Sequence, residues 1–308
     1  MSSQTCNSGE AVAVAGLACR LPGDVQNHHD LWELLCQGKN TWSPVPKDRY
    51  NEEAFYHPHP ENNGTTNHRG GHFVSNPTSF DAQFFGIGDS EAVAIDPQQR
   101  LAAELVFEAF EHAGLTLEQV KGSRTSVYAA IFTKDYDRLM VKDTNNIPRY
   151  HTTGTGEAIL ANRISYLFDL KGPSVTLDTG CSGGLVAFHH AYNSIRRGEA
   201  DIAVALGANL IFSPDTLNGM SNLHMLSDNG RSFSFDARGN GYGRGEGVVA
   251  LVLRRCSETS QIHAIVRNTG ISDPVVLLCT MTSMIRKLGA MLKHAAAGST
   301  RRGERTNR

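Results

Sequence analysis

The sequence predicts an α/β fold in which a mainly parallel sheet is buried between helices on both of its faces. Three observations lead to this prediction. Apolar runs typical of buried strands alternate with stretches whose apolar residues recur at helical spacing. Glycine and proline mark the boundaries between these segments. The 308 residues, of which 40% are hydrophobic and 19% charged, are enough for one large domain or two smaller ones.

The N-terminal third predicts one strand, two helices and a long loop. Residues 12–15 form an apolar run typical of a buried strand, and residues 30–36 have the pattern of a short amphipathic helix. Several prolines and a glycine between residues 44 and 64 mark an irregular surface stretch. Asp96 as the N-cap residue, followed by a proline, predicts the start of a longer helix that Gly114 ends.

Strands and helices alternate through the rest of the chain. Residues 126–132 and 202–206 predict two buried strands, and residues 157–168 predict a helix between them. Residues 248–253 and 262–266 predict two more strands, which we expect to be antiparallel neighbours joined by a polar turn. This alternation is typical of a parallel sheet covered by helices.

Cys181 lies where a strand is predicted to turn into a helix. The β-forming residues 175–177 precede it, and Asp178, Thr179 and Gly180 end that strand. Apolar residues then recur at helical spacing and predict the inward face of a helix: Leu185, Phe188, His189, Tyr192 and Ile195. A sulfur at a helix N-terminus faces unpaired backbone N–H groups and the positive end of the helix dipole, which favour thiolate over thiol. Cys181 is therefore a candidate nucleophile in a strand-turn-helix elbow.

Three glycines surround this cysteine, at Gly180, Gly183 and Gly184. They leave the space around the sulfur free of side chains, which suits a site that a long, thin substrate chain approaches closely. The alternative is that Cys181 is a small buried hydrophobic residue, as most free cysteines are. Two glycines in a first helical turn cost about 1 kcal/mol each relative to alanine. That cost favours the functional interpretation.

Charge and cysteine usage limit the class of protein. A formal net charge of −2 gives no global reason to expect nucleic acid or an anionic membrane as a partner. The six cysteines form no C-x-x-C pair, so they indicate neither a zinc site nor a disulfide framework and are typical of reduced thiols in a cytoplasmic protein. No run approaches the roughly 18 apolar residues of a membrane-spanning helix.

The histidines and the glycine-rich run are weaker candidates for a functional site. His57 and His59 alternate with prolines in a polar stretch, which favours a surface loop over a metal site. His189 and His190 follow Cys181 by about two helical turns, and we predict structural roles for them. The glycine-rich run at 239–247 lacks the lysine of a phosphate-binding loop, so its glycines are expected to allow tight turns.

A series of motifs in unbroken order gives the sequence a family resemblance over about residues 10–271. The motifs are VAGLACRLPG (14–23), LWELL (31–35), GGHFV (70–74), FDAQFFGI (80–87), IDPQQRL (95–101), GTGEAILANRISYLFDLKGPSVTLDTGCS (154–182) and FDARGNGYGRGEG (235–247). They resemble the β-ketoacyl synthase, or ketosynthase, domain of polyketide synthases, which has the thiolase fold.

The resemblance implies an acyltransferase whose catalytic residue is Cys181. Its thiol would accept an acyl chain from an acyl carrier protein, and a malonyl unit on a second carrier would lose carbon dioxide and attack that thioester in a Claisen condensation of polyketide or fatty acid synthesis. The resemblance implies no metal and no redox cofactor, since phosphopantetheine enters as the carrier-bound substrate arm. It implies a homodimer, with no nucleic acid or membrane as partner, and places the loop after Phe235 beside the active-site entrance.

The sequence departs from the family pattern in two places. Around the cysteine the family usually reads DTACSSS, whereas this chain reads DTGCSGG at 178–184. The family's second half, with catalytic histidines in E-A-H-G-T-G-T and N-x-G-H motifs, does not occur. We therefore expect 1–271 to be the N-terminal half of a ketosynthase, truncated and inactive alone, the alternative being a non-catalytic remnant for dimerisation or carrier-protein docking.

Residues 272–308 no longer follow the family and carry a net charge of +5. We expect this basic tail to result from a truncated gene product or a misread exon boundary. The rival interpretation is a native tail that binds nucleic acid or a protein partner.

Overall fold

A six-stranded mixed sheet forms the centre of the computed structural model, which describes residues 11–272. Its strands are β1 (Val12–Arg20), β4 (Thr125–Ile131), β5 (Ser174–Leu177), β6 (Ile202–Asn209), β7 (Gly247–Arg255) and β8 (Ala264–Val266). They lie in the order β5-β4-β6-β7-β1-β8, and a separate two-stranded sheet joins β2 (Trp42–Ser43) to β3 (Gly71–His72).

Helices cover both faces of the large sheet, as predicted for an α/β fold. The helices are α1 (His28–Cys36), α2 (Asp89–Ala94), α3 (Pro97–His112), α4 (Leu117–Val120), α5 (Asp135–Met140), α6 (His151–Thr155), α7 (Ile159–Leu167), α8 (Gly183–Arg196) and α9 (Asp215–Asn222). Helices α3 and α7 pack on one face around Val127 and Leu206. Helix α8 packs on the other face against Ala130 and Ala205. Successive strand residues point to opposite faces, so each strand feeds both cores.

Strand direction divides the sheet into two parts. β5, β4 and β6 pair in parallel, whereas β7 pairs antiparallel with β6 and β1, and β8 pairs antiparallel with β1. The two strands predicted at 248–253 and 262–266 exist but are not neighbours, because β1 lies between them. They were predicted to be neighbours because they are close in the sequence, but each of them pairs with β1, the first strand of the chain.

The long helix predicted after Asp96 is confirmed. The Asp96 side chain accepts a hydrogen bond from the Gln98 backbone N–H at 2.8 Å, and Pro97 occupies the first helical position of α3. The helix ends at His112, and Gly114 follows with a φ of +69°. Local capping chemistry therefore determined both ends of this element.

Strand β5 and helix α8 form where predicted but are buried differently. β5 is an edge strand with Val175 45% exposed, rather than a fully buried one. Leu185, predicted on the inward face of α8, is 79% exposed. Tyr192 and Ile195 of the same predicted face are buried, and the first turns of the helix meet the sheet with small residues at a spacing of four: Gly183, Ala187 and Ala191. Small side chains let the helix backbone approach the sheet closely, and a leucine at this seam would hold it away.

Within residues 11–272, no helix is both long and apolar enough to cross a membrane. Apart from Ser272, the predicted basic tail at 272–308 lies outside the described residues. The predicted domain boundary at residue 271 stays a prediction.

Candidate active site

Cys181 lies in the tight turn that joins β5 to α8, at the carboxyl edge of the three parallel strands. Its thiol is free and the residue is exposed. Ligands of α/β proteins bind outside the carboxyl ends of parallel strands. The predicted nucleophile therefore occupies the edge of the sheet where a substrate can reach it.

Short-range hydrogen bonds shape this turn. The Gly180 N–H donates to Asp178 Oδ1 at 2.8 Å, and the Ser182 hydroxyl donates to the Thr179 carbonyl at 2.9 Å. The Gly183 N–H donates to the Gly180 carbonyl at 3.1 Å and closes the turn beneath Cys181. The first helical bonds of α8 follow at once, so the sulfur lies at the N-terminal end of the helix dipole.

The three glycines of the elbow have different reasons to be glycine. Gly180 has a φ of +64°, which is strained for other residues, and a Cβ there would have no neighbour within 4 Å. A Cβ at Gly183 would lie 2.9 Å from the Ala130 Cβ, and one at Gly184 would lie 3.9 Å from the Gly207 Cα. Gly183 is thus buried against the sheet, and the prediction that all three glycines keep space open for substrate is wrong for it.

Tyr242 and Arg244 are neighbours of Cys181: burial raises the pKa of the Tyr242 hydroxyl, and Cys181 acts in the same direction. Both belong to the glycine-rich run at 239–247, which the family resemblance placed beside the active-site entrance. The Arg244 guanidinium lies 5.4 Å from the centre of the Phe132 ring, just beyond the end of β4. Within residues 11–272, its Nε and Nη2 atoms are buried without a hydrogen-bond partner.

The environment of Arg244 is costly for a cation. Burial lowers the pKa of its guanidinium, while the charges of Tyr242, Asp135 and Cys181 act in the opposite direction. The Asp135 carboxylate is engaged with the backbone N–H groups of Phe212 and Ser213. Sequence analysis missed this arginine, although a charged residue among glycines was the available signal.

A buried ion pair holds the glycine-rich run at 239–247 in place through Glu246. Arg49 and Glu246 have fully buried side chains and make two hydrogen bonds of 2.8 Å to each other. Glu246 also accepts bonds from the backbone N–H groups of Val74 and Ile211. Burial alone lowers the pKa of Arg49, but the hydrogen bonds and charge of Glu246 outweigh burial and raise it overall. These residues were also missed, because they lie far apart in the sequence.

The histidines nearest to Cys181 along the chain make structural contacts. His189 shares a hydrogen bond of 2.8 Å with the Thr269 hydroxyl, and its other ring nitrogen lies 2.9 Å from Asn193 Nδ2. His190 stacks on Tyr128 with ring centres 5.7 Å apart. The His189 bond joins Thr269, which follows β8, to α8, and the His190 ring joins α8 to β4. Both contacts agree with the predicted structural roles.

Elsewhere, His57 and His59 lie in an exposed loop and contact each other. Between residues 11 and 272, no group of three or more His, Cys, Asp or Glu side chains is arranged to hold a metal ion.

Comparisons with known proteins agree with the resemblance of the motifs. The family described as "Beta-ketoacyl synthase, N-terminal domain" matches residues 9–259. Over 268 residues the chain is 55% identical to the highly reducing polyketide synthase sdnO of Sordaria araneosa and to SAT13 of Stachybotrys chartarum. These matches cover 85% of this chain and only 9% and 11% of the relatives, so the chain spans about a tenth of their length.

Solved ketosynthase structures share the fold. The oxazolomycin ketosynthase domain OzmH KS7 of Streptomyces albus JA3453 is 34% identical, with a TM-score of 0.75, and the match covers 80% of this chain and 43% of that one. A ketosynthase from module 6 of the bacillaene synthase of Bacillus subtilis 168 is 31% identical, with a TM-score of 0.73, and the match covers 80% and 41%. The chain therefore belongs to the β-ketoacyl synthase family and contains the N-terminal part of a polyketide synthase ketosynthase with the thiolase-like fold.

Proposed function

We propose that Cys181 accepts an acyl chain from an acyl carrier protein thioester, the first half of the decarboxylative condensation of polyketide assembly. The observation that carries the proposal is an exposed thiol at the N-terminus of α8, in the elbow of a chain of the ketosynthase family. A structural cysteine has no need of this exposed position or of a turn that requires glycine at residue 180.

Loading exchanges one thioester for another. The Cys181 thiolate attacks the acyl carbonyl carbon, a tetrahedral oxyanion forms, and its collapse expels the phosphopantetheine thiolate of the carrier. The acyl chain is then held on Cys181, and the carrier thiolate takes a proton from solvent. The step consumes no oxidant and requires no metal. Helix α8 places the attacking sulfur at its N-terminal end, where the positive end of the helix dipole lies.

The condensation is the second half-reaction, and it requires groups that stabilise its anions. In that half-reaction the malonyl unit loses carbon dioxide, its enolate carbon bonds to the acyl carbon, and the Cys181 thiolate is released. Donors that stabilise such an enolate and oxyanion are worth orders of magnitude in rate. We therefore propose acyl loading as the step that Cys181 and its elbow carry out.

Incubation with an acyl carrier protein thioester, followed by intact-mass measurement, tests the proposal. We expect the mass to rise by one acyl group, with the modified peptide containing Cys181. The Cys181→Ala variant must stay unmodified. Exposed Cys36 is an internal control, because acylation there to the same extent would reflect non-specific exchange. An unmodified wild-type chain that is folded would contradict the proposal.

A second candidate function, dimerisation or carrier docking without catalysis, is favoured by apolar surface around the elbow. Tyr166 on α7, Val175 on β5 and Leu185 on α8 are 84%, 45% and 79% exposed. Among residues 11–272, β5 is also an edge strand of the sheet, which can receive a second copy of the same strand. A dimer in native mass spectrometry that Val175→Lys dissociates, in a chain that is never acylated, would favour this alternative.

A further inference from the structure

The distance of α8 from the sheet depends on one atom of β4, the Cβ of Ala130. Gly183 is buried at the start of the helix and its Cα faces Ala130, which is 4% exposed. A Cβ on Gly183 would lie 2.9 Å from the Ala130 Cβ, closer than two such carbons can approach. A methyl group attached directly to a central strand has no rotamer by which to move away. Either the helix or the strand would have to shift.

The neighbouring glycine does not share this constraint. A Cβ on Gly184 would lie 3.9 Å from the Gly207 Cα, which is ordinary van der Waals contact. Gly184 is also exposed, whereas Gly183 is buried. Only the first of these two adjacent glycines is thus required by contact with the sheet.

The position of Gly183 is coupled to that of Cys181 through the turn. The Gly183 N–H donates to the Gly180 carbonyl and closes the loop that contains the sulfur. On the other side, Ala130 pairs in register with Leu177, four residues before Cys181. The residues on both sides of Cys181, Leu177 before it and Gly183 after it, are therefore held against Ala130. A displacement of the helix start must move the sulfur.

We propose that Ala130 is a positioning residue for Cys181. Its methyl group sets, through Gly183, how far the first turn of α8 lies above the sheet, and so where the sulfur lies relative to the helix N-terminus and an arriving thioester. The pair works by complementarity: alanine on the strand requires glycine on the helix. This inference rests on the proposed function of Cys181 as the acyl acceptor and adds a residue that never touches the substrate.

A reciprocal substitution tests the proposal in the full chain. The alkylation rate of Cys181 by iodoacetamide is measured relative to that of Cys36, which is exposed on α1. We expect Gly183→Ala to lower this ratio by about threefold, the size of a partial loss of helix N-terminal stabilisation. Gly219→Ala on α9, where an added Cβ has no neighbour within 4 Å, should leave the ratio unchanged. Ala130→Gly combined with Gly183→Ala should restore it, because the clashing methyl group has moved from the strand to the helix.

Two results would overturn the positioning role. One is a Gly183→Ala chain that is folded by circular dichroism and has the wild-type ratio. The other is a combined variant that remains slow. Should Gly183→Ala not fold, the combined variant is compared with wild type and with Ala130→Gly alone: it should match wild type, whereas Ala130→Gly, which loses the methyl group that sets the height of α8, should differ from both. A slower combined variant would then count against the proposal.

Acyl loading is measured on the same proteins to separate this inference from the proposed function. If the wild-type chain alkylates as expected but is never acylated, the acyl-acceptor function fails while the positioning of the sulfur stands. If the wild-type chain is acylated and Gly183→Ala loads at the wild-type rate, the positioning role fails while the function stands. A sulfur misplaced by even 1 Å can cost about a hundredfold in such a transfer.

Discussion

The elbow around Cys181 and the buried ion pair around Glu246 are built in opposite ways. In the elbow, hydrogen bonds join residues two or three positions apart, such as Gly180 to Asp178 and Ser182 to Thr179. Glu246 is bonded to Arg49, 197 residues away, and to the backbone of Val74, 172 residues away. The reactive group is thus presented by local structure, whereas the loop beside it is held by contacts that close only when the whole fold forms.

This difference determines what a substitution should do in each region. A local turn that is exposed can be altered at a modest cost in stability, because few other contacts depend on it. A buried charge that loses its partner has no such tolerance, since neither water nor another side chain replaces the lost interaction. Measurements on both regions can therefore break or sharpen the comparison.

The largest effect is expected at Glu246. Glu246→Ala leaves the buried Arg49 guanidinium with the half-exposed Asp48 carboxylate as its acidic partner and removes the acceptor for two backbone N–H groups, so it should lower the free energy of unfolding by about 3 kcal/mol. Urea denaturation followed by circular dichroism measures this loss. Glu246→Gln keeps an acceptor and should lose less.

A matched control is available on the surface. Arg124 and Asp201 form an exposed ion pair with a bond of 2.7 Å, and Asp201→Asn should change stability little, because exposed pairs are screened by water. If Glu246→Ala were no more costly than Asp201→Asn, the central role given to the buried pair would be wrong.

The second effect depends on pH and concerns Asp96. Burial raises the pKa of this carboxyl from its ordinary value of 3.8 to about 6, although bonds from Gln98 oppose the shift. The folded state then holds the proton more tightly than the unfolded state, so stability is full below pH 3.8 and is lost as pH rises towards 6. Asn caps helices as well as Asp does. Asp96→Asn should therefore remove this slope and gain up to roughly 3 kcal/mol relative to wild type above pH 6.

Urea midpoints collected between pH 4 and 7 on both proteins check this prediction. A difference between Asp96→Asn and wild type that stays constant across this range would contradict it. The Gln98 side chain donates to Asp96 and to the Thr133 carbonyl and accepts from the Leu210 N–H. A confirmed pH dependence would therefore show that buried polar groups support the ends of β4 and β6 as well as the loop at Glu246.

The smallest effect is expected in the elbow. Gly180→Ala forces a Cβ into a φ of +64° and should cost about 1 kcal/mol, although the added methyl group meets open space. Gly180→Asn should cost less, because asparagine tolerates the left-handed region. Gly219→Ala, in α9 with equally open space, should not destabilise the chain. Thermal unfolding of the three variants separates backbone strain from contact, and equal losses for Ala and Asn would show that strain is not the cause.

Particular elements explain how far sequence reasoning reached. Helix α3 and the elbow were predicted because caps, prolines and glycines act on residues next to them. The inward face of α8 was predicted correctly at Tyr192 and Ile195 and wrongly at Leu185, since helical spacing does not show how closely the first turn of the helix approaches the sheet. The neighbours of β8 were also predicted wrongly, because strand order depends on contacts with the beginning of the chain. Arg244 and the Arg49–Glu246 pair gave no periodic pattern that could be recognised.

By itself, the sequence determined the family, the α/β class and the cysteine at a strand-to-helix turn, because motifs and turn chemistry are written in adjacent residues. Only the tertiary structure decided that Gly183 is glycine on account of Ala130, that β1 separates β7 from β8, and that Glu246 neutralises Arg49. These properties come from surfaces meeting across the fold. Steric exclusion and the desolvation of charge act between atoms that are close in space, whatever their separation along the chain.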